Sequence, residues 1–471
     1  MTISNKIIIE DPSFELLAWA DKNLVIRNPE YDKKVRLGFW VGKTPKELTL
    51  YEHRRDVLYL PFGVLHEISK LTSKDDHVEF DPFMFGQSVN FDCNVPLYDY
   101  QQQAVSALLQ SGGGILEAPA GSGKTQMGIA LAGRIQKPTL WLTHTKDLLN
   151  QSLNRAKQYI DESLLGTITE GKIHIGEAIT FATVQTMCNL DLDWLKYQWS
   201  VIIVDECHRC AGTPTAVTRF SKVLNNLAAP YKYGLSATLY RSDGLIKTTF
   251  ALLGPIKHTV SKEAVEDRIM RIGIRPVYTK QPVGDVFNTD GTLCYSKLIN
   301  DLCTNAARNN TIISTIIDEE SDFIHFGKEG HSSLILSDRL DHLTELIRLL
   351  SPQLREKAVM ISGKMTSKSG KAEREQAIKD MTEGRKKYLF ATYSLAKEGL
   401  DVPCLERLYL TTPQKNKAVV TQSIGRIART CEGKGDPVCI DFVDDFPYLA
   451  NAYKARWTSY RKAGCYLVGP S

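Results

Sequence analysis

Short apolar runs rich in β-branched residues recur along most of the chain, separated by segments with helical spacing. Between about residues 96 and 255 the apolar runs are GGGILEAP, PTLWLTH, AITFAT, SVIIVDE and YGLSAT. The segments TQMGIALAGRIQ and KDLLNQSLNRAKQYI lie between them and have the pattern of helices. Apolar strands that alternate with helices predict a parallel sheet covered on both faces.

A second block of the same kind runs from about residue 270 to 447, with the strand candidates SSLILSD, AVMISG, KYLFATY, ERLYLTT and PVCIDFV. We therefore expect two α/β domains in tandem, with sites at the carboxyl ends of their strands. The first 95 residues differ, because NLVIRN, VRLGFWV, ELTLYEH and DVLYLP are short strand candidates separated by turn residues. The predicted domains are a small β-rich accessory domain, two α/β domains and a C-terminal tail, at residues 1–95, 96–255, 256–455 and 456–471.

Composition narrows the class of protein. The chain has 471 residues, of which 43% are hydrophobic and 24% charged, as expected for a globular protein of several domains. It has no apolar run of membrane-spanning length and no signal-peptide pattern at its start, so we expect a cytoplasmic protein without membrane association. The net charge of +4 permits a nucleic-acid partner without requiring one.

A glycine-rich segment, APAGSGKT at residues 118–125, follows the strand GILE and opens a helix. This context is typical of a P-loop, in which small residues let backbone N–H groups surround phosphates at a helix N-terminus. We expect the backbone of Gly121, Ser122 and Gly123 to bind the phosphates. Lys124 would reach the β- and γ-phosphates of ATP, and the Thr125 hydroxyl would hold Mg²⁺.

Two acids follow the apolar strand VIIV, about 80 residues after the P-loop. Asp205 stands at the carboxyl end of this strand, where a carboxylate can hold the magnesium of a P-loop nucleotide. Glu206 is then placed to orient and deprotonate the attacking water. Cys207 and Cys210 come next and are the only close pair among the ten cysteines, so a zinc site would lack its other two ligands. We interpret them as reduced structural thiols.

These residues resemble the superfamily 2 helicases and translocases, in an order that covers about 350 residues. The resemblance implies that LYDYQQQA (97–104) reads adenine through Gln101, and that APAGSGKT and DECH are motifs I and II. LTHTKDLLNQ (142–151) and TFATVQTM (180–187) resemble the loops that touch a nucleic-acid backbone, and LSATLYRSDG (235–244) resembles motif III. By this resemblance, the nucleic-acid contacts are Thr143, Thr183, Gln185 and Arg241, and the residues that couple ATP state to domain movement are His208, Ser236 and Thr238.

The second block continues in the order of the family. LILSDRLDHL (334–343), LFATYSLAKEGLDVP (389–403) and QSIGRIAR (422–429) resemble motifs IV, V and VI. The resemblance implies two RecA-like P-loop domains, nucleic-acid contacts from Ser337, Arg339 and Thr392, and nucleotide contacts from Gly399 and Asp401. It also implies that Gln422, Arg426 and Arg429 serve the γ-phosphate, with the two arginines acting as arginine fingers.

DECH, ATLYRSDG and EGLDVP are closest to the branch that contains the XPB repair helicases and phage branch-migration helicases. This branch implies ATP and Mg²⁺ as cofactors and a DNA substrate, duplex, single-stranded or branched. It also implies a role in remodelling recombination or replication intermediates, with proteins of those processes as candidate partners. We expect the protein to be a monomer. Three alternatives stay open: a duplex translocase that never separates strands and feeds a partner nuclease, a binding protein for branched DNA that ATP switches, and an RNA helicase.

Three further segments carry expectations of their own. In the accessory domain, Phe39 or Trp40 could stack on an opened base, and the residues that could grip a duplex are Lys33, Lys34, Arg36, Arg54 and Arg55. Cations on edge strands also prevent aggregation, which is the competing interpretation. Residues 286–330 are either a protruding element that separates strands or a surface helix pair. The segment YKARWTSYRKAG predicts a basic amphipathic helix packed on the second domain.

Overall fold

The computed structural model describes the chain in two compact units, residues 1–265 and 266–471. The structure does not describe residues 72–76, 120, 170, 212–213, 238, 240–243, 262, 269, 281–282, 326–330, 364, 366–367, 398–399, 401, 432 and 470–471. The side chains of residues 214–216, 266–268, 322–325, 368, 371, 396–397 and 418 are likewise outside the description. Within the described residues, no helix is both long and apolar enough to cross a membrane.

The first unit begins with two small sheets and three helices. The strands are β1 (Thr2–Ile3), β2 (Lys6–Glu10), β3 (Val25–Arg27), β4 (Glu47–Thr49), β5 (Glu52–Arg54), β6 (Val57–Pro61) and β7 (Glu79–Phe80). The helices are α1 (Phe14–Leu24), α2 (Pro29–Arg36) and α3 (Leu65–Leu71). One sheet has the order β5-β6-β2-β1-β7, and β3 pairs with β4 alone. The N-terminal region is therefore mixed α/β, with more helix than the strand pattern predicts.

The strand expected at residues 35–41 is wrong. Residues 29–36 form α2, because the Asn28 side chain accepts a hydrogen bond from the Glu30 N–H and Pro29 occupies the first turn. These are the signals of a helix start, and they lie just before the segment VRLGFWV. Residues 37–42 form the turns that follow the helix.

The N-terminal sheet is fused to the rest of its unit by apolar packing. Ile7, Ile9, Leu58 and Leu60 from its central strands share one buried cluster with Val217 and other residues of the larger sheet's helices. Close approach of the backbone makes the contact tight: a Cβ at Gly63 would lie 2.5 Å from both Gly254 N and Phe250 O. A side chain at residue 63 would therefore push the N-terminal region away.

The remainder of the first unit is an eight-stranded sheet with helices. Its strands are β8 (Gly114–Glu117), β9 (Thr139–Thr143), β10 (Leu165–Thr169), β11 (Lys172–His174), β12 (Ile179–Thr183), β13 (Val201–Asp205), β14 (Tyr231–Ser236) and β15 (Ile256–Thr259). Its helices are α4 (Asp99–Ser111), α5 (Lys124–Ile135), α6 (Lys146–Ala156), α7 (Val184–Cys188), α8 (Pro214–Leu224) and α9 (Ile246–Leu253). The order is β11-β10-β12-β9-β13-β14-β8-β15, parallel except at β11. All five residues of β9, β12 and β13 are buried, which explains their continuous apolar character.

The second unit is a seven-stranded parallel sheet. Its strands are β16 (Gly273–Thr279), β17 (Ser333–Ser337), β18 (Ala358–Ile361), β19 (Tyr388–Thr392), β20 (Arg407–Leu410), β21 (Val438–Asp444) and β22 (Tyr466–Leu467), in the order β18-β19-β17-β20-β21-β16-β22. Its helices are α10 (Tyr295–Thr304), α11 (Ala306–His325), α12 (Leu340–Leu349), α13 (Pro352–Glu356), α14 (Lys368–Thr382), α15 (Tyr393–Lys397), α16 (Lys417–Ile427) and α17 (Pro447–Lys462). The prediction of two α/β sheets in tandem is confirmed.

Two expectations about the second unit can be compared with its packing. In the described part of residues 286–330, α10 and α11 form a helix pair whose apolar faces are buried, so the pair is an integral part of the unit. The basic segment near the C-terminus lies in α17, as a helix that packs on the sheet. Residue 456, where we expected a tail to begin, is a buried arginine inside α17, and its Nε donates to Asp441 Oδ2 over 2.8 Å.

Candidate active site and strand-end loops

The P-loop connects the end of β8 to the start of α5. Gly121 and Gly123 have φ values of 84° and 80°, in the left-handed region that glycine adopts without strain. Lys124 is the first residue of α5, and its Nζ donates to the carbonyls of Ala118 at 3.3 Å and Pro119 at 3.5 Å. The lysine is thus folded over its own loop, and Thr125 follows it in the first turn of the helix.

Two side chains from α4 donate hydrogen bonds to the backbone of the P-loop. Gln101 Nε2 donates to the Ser122 carbonyl at 2.9 Å, and Tyr100 Oη donates to the same carbonyl at 3.1 Å. Gln101 Oε1 accepts from the Tyr98 N–H at 3.0 Å, which ties the start of α4 to the loop. Gly123 has a φ of 80°, so a residue with a side chain would be strained there, and its Cβ would lie 2.4 Å from Gln101 Nε2. Gln101 is 2% exposed and shapes the P-loop; its contact with adenine stays a prediction.

Asp205 and Glu206 lie at the same edge of the sheet as the P-loop. Asp205 is paired in register with Leu235 of β14, and Leu235 with Leu116 of β8, so the carboxyl ends of the three strands meet. The Glu206 N–H donates to Asp205 Oδ1 at 2.9 Å, and Glu206 has a φ of 49°. A left-handed backbone at a non-glycine residue costs energy, so the surrounding contacts hold Glu206 in this conformation.

The two carboxyls share a buried environment that resists two negative charges. Burial, reinforced by repulsion from Glu206, raises the pKa of Asp205 to about 7. Burial alone would also raise the pKa of Glu206, but the positive charges of Lys124, His208 and Arg209 outweigh it and lower that pKa to about 2. Burial therefore opposes the presence of two negative charges on the pair, and a divalent cation bound there would favour the doubly ionised form.

His208 connects the acidic pair with β14. Its Nδ1 lies 3.3 Å from Glu206 Oε2 and 3.0 Å from Ser236 Oγ. Ser236 is the last residue of β14 and is fully buried. Thr238 and Arg241, the other residues expected to act in this segment, lie outside the described residues.

The donor set at this edge fits a nucleotide with magnesium. The Asp205 carboxylate and the Thr125 hydroxyl are hard oxygen ligands of the type that Mg²⁺ takes. The hydroxyl Oγ of Ser122 is buried in the P-loop and has no hydrogen-bond partner among the described residues. A buried hydroxyl without a partner costs free energy, which a phosphate oxygen would recover.

The neighbouring thiols do not take part in this donor set. Cys207 and Cys210 are both fully buried, and burial raises the pKa of each thiol above its usual range. A buried thiol with a raised pKa is a poor metal ligand and a poor nucleophile. The described residues contain no group of three or more histidines, cysteines, aspartates or glutamates with metal-binding geometry.

In the first unit, the residues expected to touch nucleic acid lie at the ends of two adjacent strands. Thr143 of β9 and Thr183 of β12 are partners in register. Thr143 is fully buried, and its hydroxyl donates to the Thr145 carbonyl at 3.0 Å, so it shapes its loop. Thr183 caps α7 by accepting from the Thr186 N–H. Gln185 is half-buried, and its Nε2 lies 3.4 Å from His144 Nδ1 in the neighbouring loop.

In the second unit, Ser337 of β17 and Thr392 of β19 are likewise partners in register. Ser337 is fully buried: its Oγ accepts from the Arg339 N–H at 3.1 Å and lies 3.0 Å from His342 Nδ1. The Arg339 guanidinium donates to Asn300 Oδ1 at 3.1 Å, and Thr392 Oγ1 lies 2.9 Å from Ser394 Oγ. Both units therefore present their predicted nucleic-acid residues at paired strand ends.

Gln422 and Arg426 lie on α16, and Arg429 follows that helix. Arg426 Nη1 donates to the Leu400 carbonyl at 2.8 Å, which ties motif VI to motif V. Lys434 supports the same region, since its Nζ donates to the carbonyls of Ile427 at 2.8 Å, Arg429 at 2.5 Å and Pro403 at 3.4 Å. Burial lowers the pKa of Lys434 to about 8. Gly399 and Asp401 of motif V lie outside the described residues.

Several supporting residues escaped the sequence analysis. Ser152 Oγ donates to Asp205 Oδ2 at 3.3 Å, and its signal was a serine that shares the buried face of α6 with Leu149 and Ala156. His342 Nε2 lies 3.0 Å from Asn309 Oδ1, which extends the hydrogen-bond chain behind Ser337. Asn309 belongs to a helix distant in sequence from motif IV, so no local pattern pointed to it.

The fold and this site define a P-loop ATPase built from tandem RecA-like domains. The family model "Type III restriction enzyme, res subunit" matches residues 94–241, and "Helicase conserved C-terminal domain" matches residues 313–431. Together these matches cover more than half of the chain. The chain belongs to the superfamily 2 helicases, which are ATP-dependent enzymes.

Relatives of the chain carry helicase names. It is 27% identical over 347 residues to "Putative ATP-dependent RNA helicase L396" of Acanthamoeba polyphaga mimivirus, covering 72% of the chain and 62% of the relative. It is 24% identical to "DNA 3'-5' translocase XPB2" of Sulfurisphaera tokodaii, covering 71% and 79%. It is 22% identical to "ATP-dependent DNA helicase uvsW" of Enterobacteria phage T4, covering 90% and 86%. The resemblance to the XPB and phage branch is confirmed.

Among solved structures, S. cerevisiae Dbp5 bound to RNA and ADP BeF3 has the same fold. The TM-score is 0.56 at 18% identity, covering 79% of this chain and 90% of that one. This likeness concerns the tandem RecA-like architecture alone.

Proposed function

We propose that the chain is an ATP-driven motor that moves along DNA and remodels branched or duplex intermediates, including strand separation and branch migration. Two of the relatives described above are named as a DNA translocase and a DNA helicase, and the T4 helicase matches 90% of the chain. This chain would act on recombination or replication intermediates. Proteins of those processes are its candidate partners, and the motor would work as a monomer.

The observation that carries the proposal is the repeated arrangement of polar strand ends. Thr143 pairs with Thr183 in one sheet, and Ser337 pairs with Thr392 in the other. Short hydroxyl side chains and loop N–H groups hold a phosphate backbone without reading its sequence, which suits a motor that must release at each step. The buried Thr143 and Ser337 would shape these loops, while the direct contacts would come from Thr183, Gln185, Arg339, Thr392 and, outside the described residues, Arg241.

For ATP, the proposed phosphate site is the P-loop backbone with Lys124, and the proposed magnesium ligands are Thr125 and Asp205. Mg²⁺, when bound, neutralises phosphate charge and orients the phosphates. Glu206 is the proposed base for the attacking water, and its lowered pKa keeps the carboxylate ionised at neutral pH. The further nucleotide contacts are proposed for Gln101, Gly399 and Asp401.

We assign the motif VI residues Gln422, Arg426 and Arg429 to the transition state of hydrolysis. Replacing Arg429 by alanine should lower ATP turnover by about 10³-fold or more, the usual worth of an arginine finger, while much of the ATP binding persists. Fluorescent-nucleotide binding and phosphate release, measured on the same variant, separate the two effects. Equal losses in both measurements would contradict the assignment.

The proposal is tested by steady-state ATP hydrolysis of the whole chain with no nucleic acid, single-stranded DNA, duplex DNA, a four-way junction and RNA. We expect the strongest stimulation by duplex or junction DNA. ATP hydrolysis that none of these nucleic acids stimulates would refute the proposal that the chain is a nucleic-acid motor. Multiple turnover excludes a binding protein that ATP only switches, and a strand-displacement assay with blocked reannealing separates a helicase from a duplex translocase.

The name of the mimivirus relative supports a second candidate substrate, RNA. Stimulation by RNA alone in the same assay would assign the chain to RNA remodelling. The residues proposed at the strand ends contact phosphates, which DNA and RNA share. Further contacts, such as contacts to the ribose 2′-OH, are needed to distinguish the two nucleic acids.

A further inference from the structure

The loop that follows α2 exposes large apolar side chains to solvent. We call residues 37–42 the aromatic turn. Within it Leu37 is 49% exposed, Phe39 64% and Trp40 87%, and α2 itself has no buried residue. Single exposed apolar residues are common on protein surfaces, but two adjacent aromatic residues at this exposure in one turn indicate a contact surface.

The aromatic turn is held by its own hydrogen bonds. The Leu37 and Phe39 N–H groups donate to the carbonyls of Lys33 at 3.1 Å and Lys34 at 2.8 Å. Lys34 Nζ donates to Thr44 Oγ1 at 2.6 Å, which closes the loop at its far side. Gly38 and Gly42 have φ values of 68° and 52° and allow the chain to reverse. The rings are therefore presented by an ordered backbone, so little conformational entropy is lost when they bind.

Cations flank the aromatic turn along the chain. Between residues 29 and 46 the chain has five lysines and arginines against two acids: Lys33, Lys34, Arg36, Lys43 and Lys46, with Glu30 and Asp32. Asp32 is paired with Arg27, whose Nε lies 2.8 Å from it, and Glu30 with Lys34, whose Nζ lies 3.5 Å from it, which leaves Lys33, Arg36, Lys43 and Lys46 in excess. The surface is therefore positive, which complements a phosphate backbone and opposes a basic partner.

We propose that the aromatic turn is a stacking platform for unpaired bases of single-stranded nucleic acid, with the phosphates held by the flanking cations. Flat rings among cations are the chemistry that binds single strands, because each base offers a π-face and each nucleotide a negative charge. Bases inside a duplex are already stacked on one another and offer no such face. The inference rests on the proposed function. It identifies the strand that the N-terminal region would hold as the single strand exposed when the motor separates a duplex.

The test compares two variants of the whole chain, Phe39→Ala/Trp40→Ala and the control Phe14→Ala. Phe14 is 86% exposed on α1, outside the turn, so its replacement controls for the removal of an exposed aromatic side chain. Fluorescence anisotropy with a labelled single-stranded oligonucleotide should show about 5- to 100-fold weaker binding for the turn variant, and unchanged binding for the control. Unchanged binding in the turn variant, or an equal loss in the control, would overturn the inference.

Salt dependence separates stacking from charge. The turn variant should keep the wild-type slope of log affinity against log salt, while Lys33→Gln/Arg36→Gln should reduce it by about 0.7 for each phosphate that the variant no longer neutralises. An equal loss of affinity for blunt duplex in the turn variant would mean that the rings bind a helix surface, and would also overturn the stacking platform.

A measurement on the unaltered chain avoids the question of whether a variant folds. Oxidation of Trp40, followed by mass spectrometry of its peptide, should slow when single-stranded DNA is added, whereas the peptide with Phe14 should be oxidised as before. A rate of Trp40 oxidation that does not change when the oligonucleotide is added would refute the inference. Stimulation of ATP turnover by nucleic acid, measured in parallel, shows whether the motor assignment survives even if the stacking platform fails.

Discussion

His208 Nδ1 lies 3.0 Å from Ser236 Oγ and 3.3 Å from the Glu206 carboxylate. One imidazole therefore touches both the predicted base for the attacking water and the last residue of β14. We expect a change in the position of Glu206 during hydrolysis to be passed through His208 to the segment after β14, which leads to α9. The relationship makes His208 and Ser236 the place to test how hydrolysis is coupled to movement.

Ser236→Ala should leave basal ATP turnover nearly unchanged but lower strand displacement by about fivefold, the worth of one hydrogen bond of about 1 kcal/mol. His208→Ala removes the hydrogen bond to Ser236 and the 3.3 Å contact with the Glu206 carboxylate, and should lower turnover as well. A double-mutant cycle should show that the two losses in strand displacement are not additive, because both changes remove the same hydrogen bond. Additive losses would show that the 3.0 Å hydrogen bond carries no coupling.

Lys124→Ala should reduce ATP hydrolysis to background, because the ammonium group is the proposed contact to the β- and γ-phosphates. Phosphate release is the measurement, and thermal unfolding shows whether the variant is folded. Lys172→Ala is a suitable control, since Lys172 is exposed on β11 of the same sheet. ATP hydrolysis retained in the Lys124 variant would contradict the assignment of residues 118–125 as a P-loop.

Lys434→Met should lower the kcat of ATP hydrolysis by about 10- to 100-fold with little change in KM. Its ammonium binds two carbonyls at the end of motif VI and one at the end of motif V, and hydrogen bonds to a charged group contribute about 1.5–3 kcal/mol. Lys434→Arg should recover part of the rate, because guanidinium can also donate to carbonyls. The matched control is Lys415→Met, which removes an exposed lysine bonded to Tyr448 in the same unit. A purely structural role would instead lower the melting temperature and leave kcat of the folded fraction intact.

Lys232→Met should stabilise the chain most at pH 7 and below. Burial lowers the pKa of Lys232 to about 7, against about 10.4 in an unfolded chain. Between these values the unfolded state binds more protons, so wild-type stability rises with pH, and below pH 7 the folded state bears the full cost of a buried charge. Methionine removes this charge, and its advantage should shrink as pH rises toward 10.

Urea unfolding of both proteins at pH 6.5 and pH 9.5 measures the effect. The Lys232 ammonium donates to the Leu224 carbonyl at 2.7 Å and lies 4.9 Å from the Phe62 ring centroid, and neither interaction is present in the variant at either pH. The change in the stability difference between variant and wild type from pH 6.5 to pH 9.5 therefore reports the protonation of Lys232. An advantage for methionine that does not change with pH would show that Lys232 is charged in the folded state throughout.

Local signals in the sequence were enough for the two α/β sheets and for the centre of the nucleotide site. The apolar strands could be identified because β9, β12 and β13 are buried on both faces, which leaves no alternation to misread. Asp205 and Glu206 could be located because the first ends such a strand and the second follows it, and Lys124 because a glycine-rich segment leads from β8 to the start of α5. The strand expected at residues 35–41 failed for a local reason too: the helix start at Asn28 and Pro29 outweighed an apolar run.

The amino-acid sequence by itself determined which residues stand at the carboxyl ends of strands, because strand, loop and helix starts are written in neighbouring residues. Only the tertiary structure decided which strand ends meet. The register of Thr143 with Thr183, the contact of His208 with Ser236 and the support of Arg339 by Asn300 join residues 28 to 40 positions apart. Such contacts depend on how strands are ordered in the sheet and how helices cross it, and burial of the whole core, not any local pattern, selects that order.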